Sequence, residues 1–245
     1  MEHREYRYMA AGADTAVLFV HGIVGTPRHF DGLLALLPSA VSVHNLLLAG
    51  HGAAARDFGR ASMKQWEAQV EQAVAALAEG HENIYIVAHS MGGLLAIEAA
   101  VKHEKVRKLF LMAVPLRIRL KVAMVRNSWK VFCGSTGADD QAAQAAQACC
   151  GVGQTRNPLH YLGWIPRFLE LFGKIRAVRA LLPRLTTPCC AVQSARDELV
   201  SCRAAEELER NPHITVVELS NSGHYYYPPA DLALLQKAFC EFMKL

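Results

Sequence analysis

Between residues 84 and 93 the chain passes from an apolar, β-branched run, Ile84-Tyr-Ile-Val87, into a helix-forming one with hardly a residue to spare. Residues 94–102 suit a helix and end on the basic Lys102, so strand and helix meet at Ser90. A turn this sharp lifts the side chain at its apex clear of the sheet edge. It also needs small residues two places before and two after, so that strand and helix can approach. Ala88 and Gly92 fill those places, and the Ala methyl does not fill the turn. A small-Ser-small triplet also occurs in ordinary loops. The strand before it and the helix after it are what set this one apart.

The same alternation runs through most of the chain. Apolar runs at residues 15–20, 41–47, 108–114, 189–193 and 214–219 read as strands, with a further one at 5–10. Helical patterns lie between and after them. The first runs from Pro27 to about residue 37, and another begins at the capping box Ser62-Met-Lys-Gln65, with Trp66, Val70, Ala73, Val74 and Leu77 on one face. Residues 202–210, capped by Ser201, and 231–243 complete the set, the last burying Leu232, Leu235, Phe239 and Phe242. Strands and helices in alternation predict an α/β fold with a mostly parallel central sheet flanked by helices. From 115 to 184 the alternation stops, and three helical patterns (116–132, 139–150, 164–182) take its place. This predicts a core of residues 1–114 and 185–245, with a helical cap inserted at 115–184.

A chain of 245 residues with 52% hydrophobic and 20% charged residues suits one large domain carrying one insertion. No run reaches the roughly 18 to 20 apolar residues of a membrane span, and the start of the chain lacks an apolar signal segment, so a cytoplasmic protein is expected. Seven cysteines, an odd number with two adjacent pairs and no C-x-x-C, fit neither a disulfide framework nor a zinc site. They read as small buried hydrophobes, with an exposed thiol expected around Cys149. Net charge is only +4, yet residues 115–184 hold eleven Lys or Arg against Asp139, Asp140 and Glu170. These charges are interleaved with apolar positions, which suits an amphipathic cover and not a nucleic-acid surface.

The residues able to carry chemistry fall at the ends of strands, where a parallel sheet gathers its loops. Ser90 is one. His21-Gly-Ile-Val-Gly25, after the strand at 15–20, can aim backbone N–H groups at a negative oxygen, although it also reads as an ordinary strand-to-helix turn. Asp197 and Glu198 follow the strand at 189–193, and His224 follows the strand at 214–219. The order is serine, acid, histidine. A serine hydroxyl is a weak nucleophile until a histidine takes its proton, and an acid must hold the imidazole in the right tautomer. Side chains of adjacent residues diverge, so only one of Asp197 and Glu198 can meet His224, and spacing does not choose between them. His51, between Gly50 and Gly52, reads as a structural loop histidine. His89 points away from the apex and is expected to pack or hydrogen-bond locally.

Taken together, Leu18-Phe-Val-His-Gly-Ile-Val-Gly25, Gly50-His-Gly52, Ala88-His-Ser-Met-Gly-Gly93, Val192-Gln-Ser-Ala-Arg-Asp-Glu198 and Ser222-Gly-His224 make the chain resemble compact bacterial carboxylesterases and monoacylglycerol lipases. These belong to the α/β-hydrolase superfamily, and the likeness covers nearly the whole chain. It implies an α/β-hydrolase fold with the helical cap inserted after the sixth strand. It assigns Ser90 as nucleophile, Asp197 as orienting acid and His224 as general base, with the N–H groups of Ile23 and Met91 as oxyanion hole. Ile23 stands where such enzymes often carry an aromatic, which alters a wall of the acyl pocket. The activity implied is cleavage of short- to medium-chain acyl esters or monoacylglycerols through an acyl-enzyme, without metal or organic cofactor. An acyl thioesterase is the alternative within enzymes, and a non-catalytic hydrolase-fold binding protein the alternative outside them. Aromatic cap residues Trp129, Phe132, Tyr161, Trp164, Phe168 and Phe172 are candidates for lining an acyl channel or for holding the cap to the sheet. The partner expected is a small ester or lipid-like molecule, with weak contact to anionic lipid surfaces through the basic cap.

Overall fold

The computed structural model describes residues 3–119, 122, 126, 130, 137 and 140–244. Its strands are β1 Tyr6–Tyr8, β2 Thr15–Val20, β3 Ser42–Leu46, β4 Asn83–His89, β5 Val106–Met112, β6 Cys189–Ser194 and β7 Ile214–Leu219. They form one sheet in the order β1-β3-β2-β4-β5-β6-β7. Only β1, on β3, pairs antiparallel. The chain leaves β2 toward β3 on one side and leaves β4 toward β5 on the other. The loops after β2 and β4 therefore turn to opposite sides, which marks the carboxyl ends of these strands as the place for a crevice. Val20 lies beside Ala88 in the β2–β4 register, which sets Gly22 opposite Ser90.

The helices are α1 Asp31–Leu34, α2 Ala55–Arg60, α3 Met63–Gly80, α4 Met91–Lys102, α5 Gln141–Ala148, α6 Trp164–Leu181, α7 Arg203–Leu208 and α8 Pro229–Met243. Successive strand residues point to opposite faces, so the sheet has two cores. Leu18, Val20, Ile84, Ile86 and Leu111 pack with α3 and α4 through Trp66, Val74, Leu94 and Ile97. Phe19, Val87, Phe110 and Val192 face the other way, against Phe30, Leu33, Leu235, Phe239 and Met243. The α3 start is the expected capping box, with Ser62 Oγ accepting the Gln65 N–H at 3.2 Å.

Several expectations change, among them the cap of α7, Arg203–Leu208, which is Cys202 with no side-chain bond and not Ser201. The helix expected from Pro27 is a 3-10 turn, Pro27–Phe30, followed by one short α turn, and Pro38 stands just beyond it. The buried face of α8 is Asp231, Leu235, Phe239 and Met243, while Leu232 is 38% exposed and Phe242 half-buried. The cause is Asp231, whose carboxylate accepts the Asn221 N–H and the Ser222 hydroxyl at 2.8 Å each and so turns the helix start inward. Residues 115–184, expected to form an insertion, follow β5, the fifth strand of this chain, where the resemblance implied a sixth.

The inserted segment is seated by mixed contacts. The Trp164 ring meets Phe58 at 4.6 Å, and its Nε1–H donates to the Ala55 carbonyl at 2.8 Å. Lys174, 8% exposed, lies between Glu67 of α3 and Glu98 of α4. Glu170 pairs with Arg167 and accepts the Met63 N–H, and Glu207 pairs with both Arg117 and Arg179. Lys130 pairs with Asp140. The basic groups are thus drawn partly into ion pairs with the core, where the sequence pattern suggested a solvated face. Among the described residues no helix is long and apolar enough to cross a membrane.

Candidate active site

Ser90 sits between β4 and α4 with φ 52° and ψ −122°, a region in which a side-chain-bearing residue is strained. Its N–H is held by the Met112 carbonyl at 2.8 Å, and its carbonyl accepts the Gly93 N–H at 2.9 Å. Gly92 lets this turn form. A Cβ there would run into the backbone oxygens of Val20 and His21, so any larger residue would push α4 off β2. Ala88 is fully buried on the other side of the turn.

The acid arrives from the loop after β6 and the histidine from the loop after β7. His224 Nδ1 is 2.8 Å from Asp197 Oδ2, and His224 Nε2 is 3.2 Å from Ser90 Oγ. A carboxylate only accepts, so Nδ1 carries the ring proton and Nε2 offers its lone pair to the serine hydroxyl. All three side chains are nearly enclosed, at 6% for Ser90, 1% for Asp197 and 3% for His224. The second oxygen of Asp197 accepts the N–H groups of Leu199 and Val200 at 2.7 and 2.8 Å. Burial works to raise the Asp197 pKa. The facing His224 ring and those two N–H bonds outweigh it, and the carboxyl is held below its ordinary value.

Glu198 turns the other way. Its Oε2 accepts the backbone N–H of His224 at 2.8 Å, and its carboxylate packs where a side chain on Gly223 would stand. The two adjacent acids therefore divide the work, one meeting the ring and the other the backbone of the same histidine. The pairing of Glu198 with Gly223 is the only trace of this in the sequence, and it has no periodicity to betray it.

His89 was expected to bond locally. Its Nε2–H instead donates to the His224 carbonyl at 3.1 Å, and the two rings lie 4.8 Å apart. Residue 89 ends β4, so its side chain falls beneath the apex of the turn, where the loop after β7 passes. His51 is the expected loop histidine, buried with Nδ1 near the Leu48 carbonyl at 3.2 Å. His21 has a role the sequence did not suggest. Its Nδ1–H donates to the Gly22 carbonyl at 2.9 Å and its Nε2 accepts the Leu48 N–H at 3.1 Å, tying two loops together. Burial, only partly offset by the Gly22 bond, lowers the His21 pKa to about 4. Burial and the neighbouring His29 push His89 well below its usual range.

Gly22 lies against the serine, for a Cβ built on it would stand 2.9 Å from Ser90 Cβ. Ile23 follows directly, and Met91 is the first residue of α4, whose leading N–H groups have no acceptor within the helix. Of the cap candidates, Tyr161 and Trp164 meet with tilted rings at 5.0 Å and pack on the core, while Phe168 and Phe172 are 38% and 49% exposed. Trp129 and Phe132 lie outside the described residues. Cys189 and Cys190 are buried as expected and Cys149 and Cys150 half-buried, but Cys202 and Cys240 are exposed.

A mostly parallel sheet with a serine on a strained strand-to-helix turn, faced by a histidine and an acid from later strand ends, is an arrangement chemically able to activate a hydroxyl. The chain belongs to the alpha/beta hydrolase family, whose family model matches residues 17–233. A curated relative, the thermostable monoacylglycerol lipase of Bacillus sp. (strain H-257), is 32% identical over 97 residues. That match spans 39% of this chain and 39% of the relative's length. Among solved structures, one reported with the metagenome-derived lipolytic enzymes LipS and LipT superposes with a TM-score of 0.75 at 19% identity, covering 99% of this chain and 98% of the other. The monoacylglycerol lipase of Paleococcus ferrophilus gives 0.72 at 15% identity, covering 100% and 99%. At these identities the likeness is one of fold.

Proposed function

We propose that this chain is a serine hydrolase that cleaves carboxylic esters, short- to medium-chain acyl esters or monoacylglycerols, through an acyl-enzyme. The observation that carries this reading is the buried chain of hydrogen bonds from Ser90 Oγ through the His224 ring to Asp197. In the reaction Ser90 Oγ attacks the ester carbonyl carbon as His224 Nε2 takes the hydroxyl proton. The carbonyl oxygen becomes an oxyanion and receives the N–H groups of Ile23 and Met91. As the intermediate collapses, the C–O bond to the alcohol breaks and His224 returns its proton to the leaving oxygen. Water, activated by the same ring, then frees the acid and restores Ser90. Asp197, kept ionised, stabilises the imidazolium formed in each half.

The cap is proposed to bound the acyl pocket, with Tyr161 and Trp164 forming its attachment to the core. Its outer surface shows Leu159, Leu162, Ile165, Leu169 and Phe172 beside the exposed Arg156 and Arg176, which supports weak, salt-sensitive contact with anionic lipid surfaces. An acyl-CoA would need cap cations for its phosphates, and four of the eleven at 115–184, Arg117, Arg167, Lys174 and Arg179, are engaged with Glu67, Glu98, Glu170 and Glu207. Thiols unpaired among the described residues support a reducing, cytoplasmic setting.

The test is the specificity constant for p-nitrophenyl esters from two to sixteen carbons, with 1-monoacylglycerols and acyl-CoAs as further arms. Each methylene that enters the pocket adds up to about 0.8 kcal/mol, so the constant climbs with length and stops at short or medium chains. A marked preference for acyl-CoA over the matched ester would move the assignment to thioesterase. Absence of turnover on every substrate would leave a binding protein.

A further inference from the structure

We propose that Gly151, in the cap, is a positioning residue that orients the Ile23 N–H through two peptide planes of the loop after β2. The inference rests on the serine-hydrolase reading, in which that N–H receives the oxyanion.

The argument follows hydrogen bonds from one plane to the next. The Gly151 N–H donates to the Val24 carbonyl at 2.7 Å. No peptide in the described chain is cis, so the Val24 carbonyl and the Gly25 N–H are opposite edges of one rigid plane. The Gly25 N–H in turn donates to the Gly22 carbonyl at 3.0 Å. That carbonyl shares its plane with the Ile23 N–H, which must point the opposite way. Fixing Val24 from outside therefore fixes the direction of the Ile23 donor two planes away. The loop needs the help, since Val24 is held at φ 57°, an angle that a β-branched residue leaves readily when it is free to do so.

Gly151 is itself anchored. Its carbonyl accepts the Gly52 N–H at 2.6 Å, and the Gly153 N–H donates to the Ala53 carbonyl at 2.8 Å. Val152 between them is buried at 4%, and Cys149 Sγ lies 3.2 Å from His29 Nδ1. Residues 149–153 thus strap the cap to both loops, 22–25 and 50–53. The strap presses so closely that a Cβ on Gly151 would fall inside the contact distance of the Gly25 carbonyl oxygen and 3.1 Å from Thr26 Cβ. Only glycine permits this approach. Other residues steady the serine or the histidine. The strap steadies the donor.

The test compares wild type with Gly151→Ala, whose methyl lifts the strap from the loop, and with Val152→Ala, which loosens the seat without a clash. The measurements are kcat, KM and inhibition by an alkylboronic acid, which forms a tetrahedral anionic adduct on a serine hydroxyl. Losing one oxyanion donor outright costs about 10²- to 10³-fold. Misaligning one while the His21 ring still holds the Gly22 carbonyl should lower kcat and boronate affinity by about 10- to 100-fold in Gly151→Ala. KM should stay within about 2-fold, and Val152→Ala should show a smaller change of the same kind. If Gly151→Ala does not fold, Val152→Ala carries the test. Folded variants with wild-type kcat and boronate affinity would overturn the inference, as would a KM that rises in step with the boronate constant. A wild type that neither hydrolyses esters nor binds the boronate would instead defeat the underlying reading.

Discussion

The crevice at the carboxyl ends of β4, β6 and β7 and the proposed cap, residues 115–184, are held in different ways. In the crevice, Ser90, Asp197 and His224 each stand a few residues beyond a strand end and are joined to one another by hydrogen bonds, with the buried His89 and the Glu198 carboxylate on the backbone of His224. The cap is fixed by long side chains reaching across to the core, Trp164 onto Phe58 and Lys174 between two glutamates. On the proposed reading the cover sets substrate range and the strand-end site carries the chemistry, and the two meet where residues 149–153 touch the loop after β2.

That contrast can be tested from the strongest effect downward. Asp197→Asn should lower turnover by roughly 10³- to 10⁴-fold by favouring the wrong imidazole tautomer. Glu198→Gln, which alters a bond to the His224 backbone, should cost far less. If Glu198→Gln proves the worse variant in steady-state kinetics, the division between ring partner and backbone partner is wrong. Gly22→Val, which drives a side chain against Ser90 Cβ, should cost about 10²- to 10³-fold in kcat with little change in KM. Full turnover in that variant would remove Ile23 as a donor.

Trp164→Ala should act on the cap alone, lowering stability by roughly 2–3 kcal/mol, short of the ~3–5 of a fully enclosed aromatic. Urea unfolding measures it, and the short-chain turnover should persist. Were short-chain turnover lost with the indole, cover and chemistry would not be separable. The crevice should respond to acid in its own way. Unfolded His21 takes a proton below about pH 6.5, whereas the folded ring resists until about pH 4. The unfolded state therefore binds more protons across that window, and stability falls as pH drops through it, by about 2 kcal/mol at pH 5 for this one group. His21→Gln should make that limb shallower in Tm measured against pH, the remainder belonging to His29, His51 and His89, which burial lowers in the same direction. An unchanged limb would mean that His21 is not among the groups responsible.

The parts legible in the sequence share one property, that local chain direction decides them. The strand runs at 15–20 and 214–219, the capping box at Ser62 and the strand-to-helix turn at Ser90 all follow from neighbouring residues. So does the order of the three site residues, since each marks a strand end. The parts that were not legible depend on distant partners. Spacing left Asp197 and Glu198 equivalent, only the family resemblance favoured Asp197, and the different partners the two acids take depend on the loop after β7. The buried face of α8 shifted because Asp231 had Asn221 and Ser222 to satisfy. The cap's cations read as solvated because their partners Glu67, Glu98 and Glu207 lie far away in sequence. Gly151 gave no signal at all, since nothing in its own segment reveals the loop it presses against.

The central claim is that Ser90 Oγ carries the acyl group. Rapid mixing with p-nitrophenyl acetate, quenched in acid and read by intact and peptide mass, tests it most directly. The account predicts an acetyl adduct on the peptide containing Ser90, formed in a burst and decaying with turnover. In Ser90→Ala the adduct should be absent and turnover lower by a factor on the order of 10⁴ to 10⁶. An adduct that persists in Ser90→Ala, or turnover left intact by that change, would contradict the account.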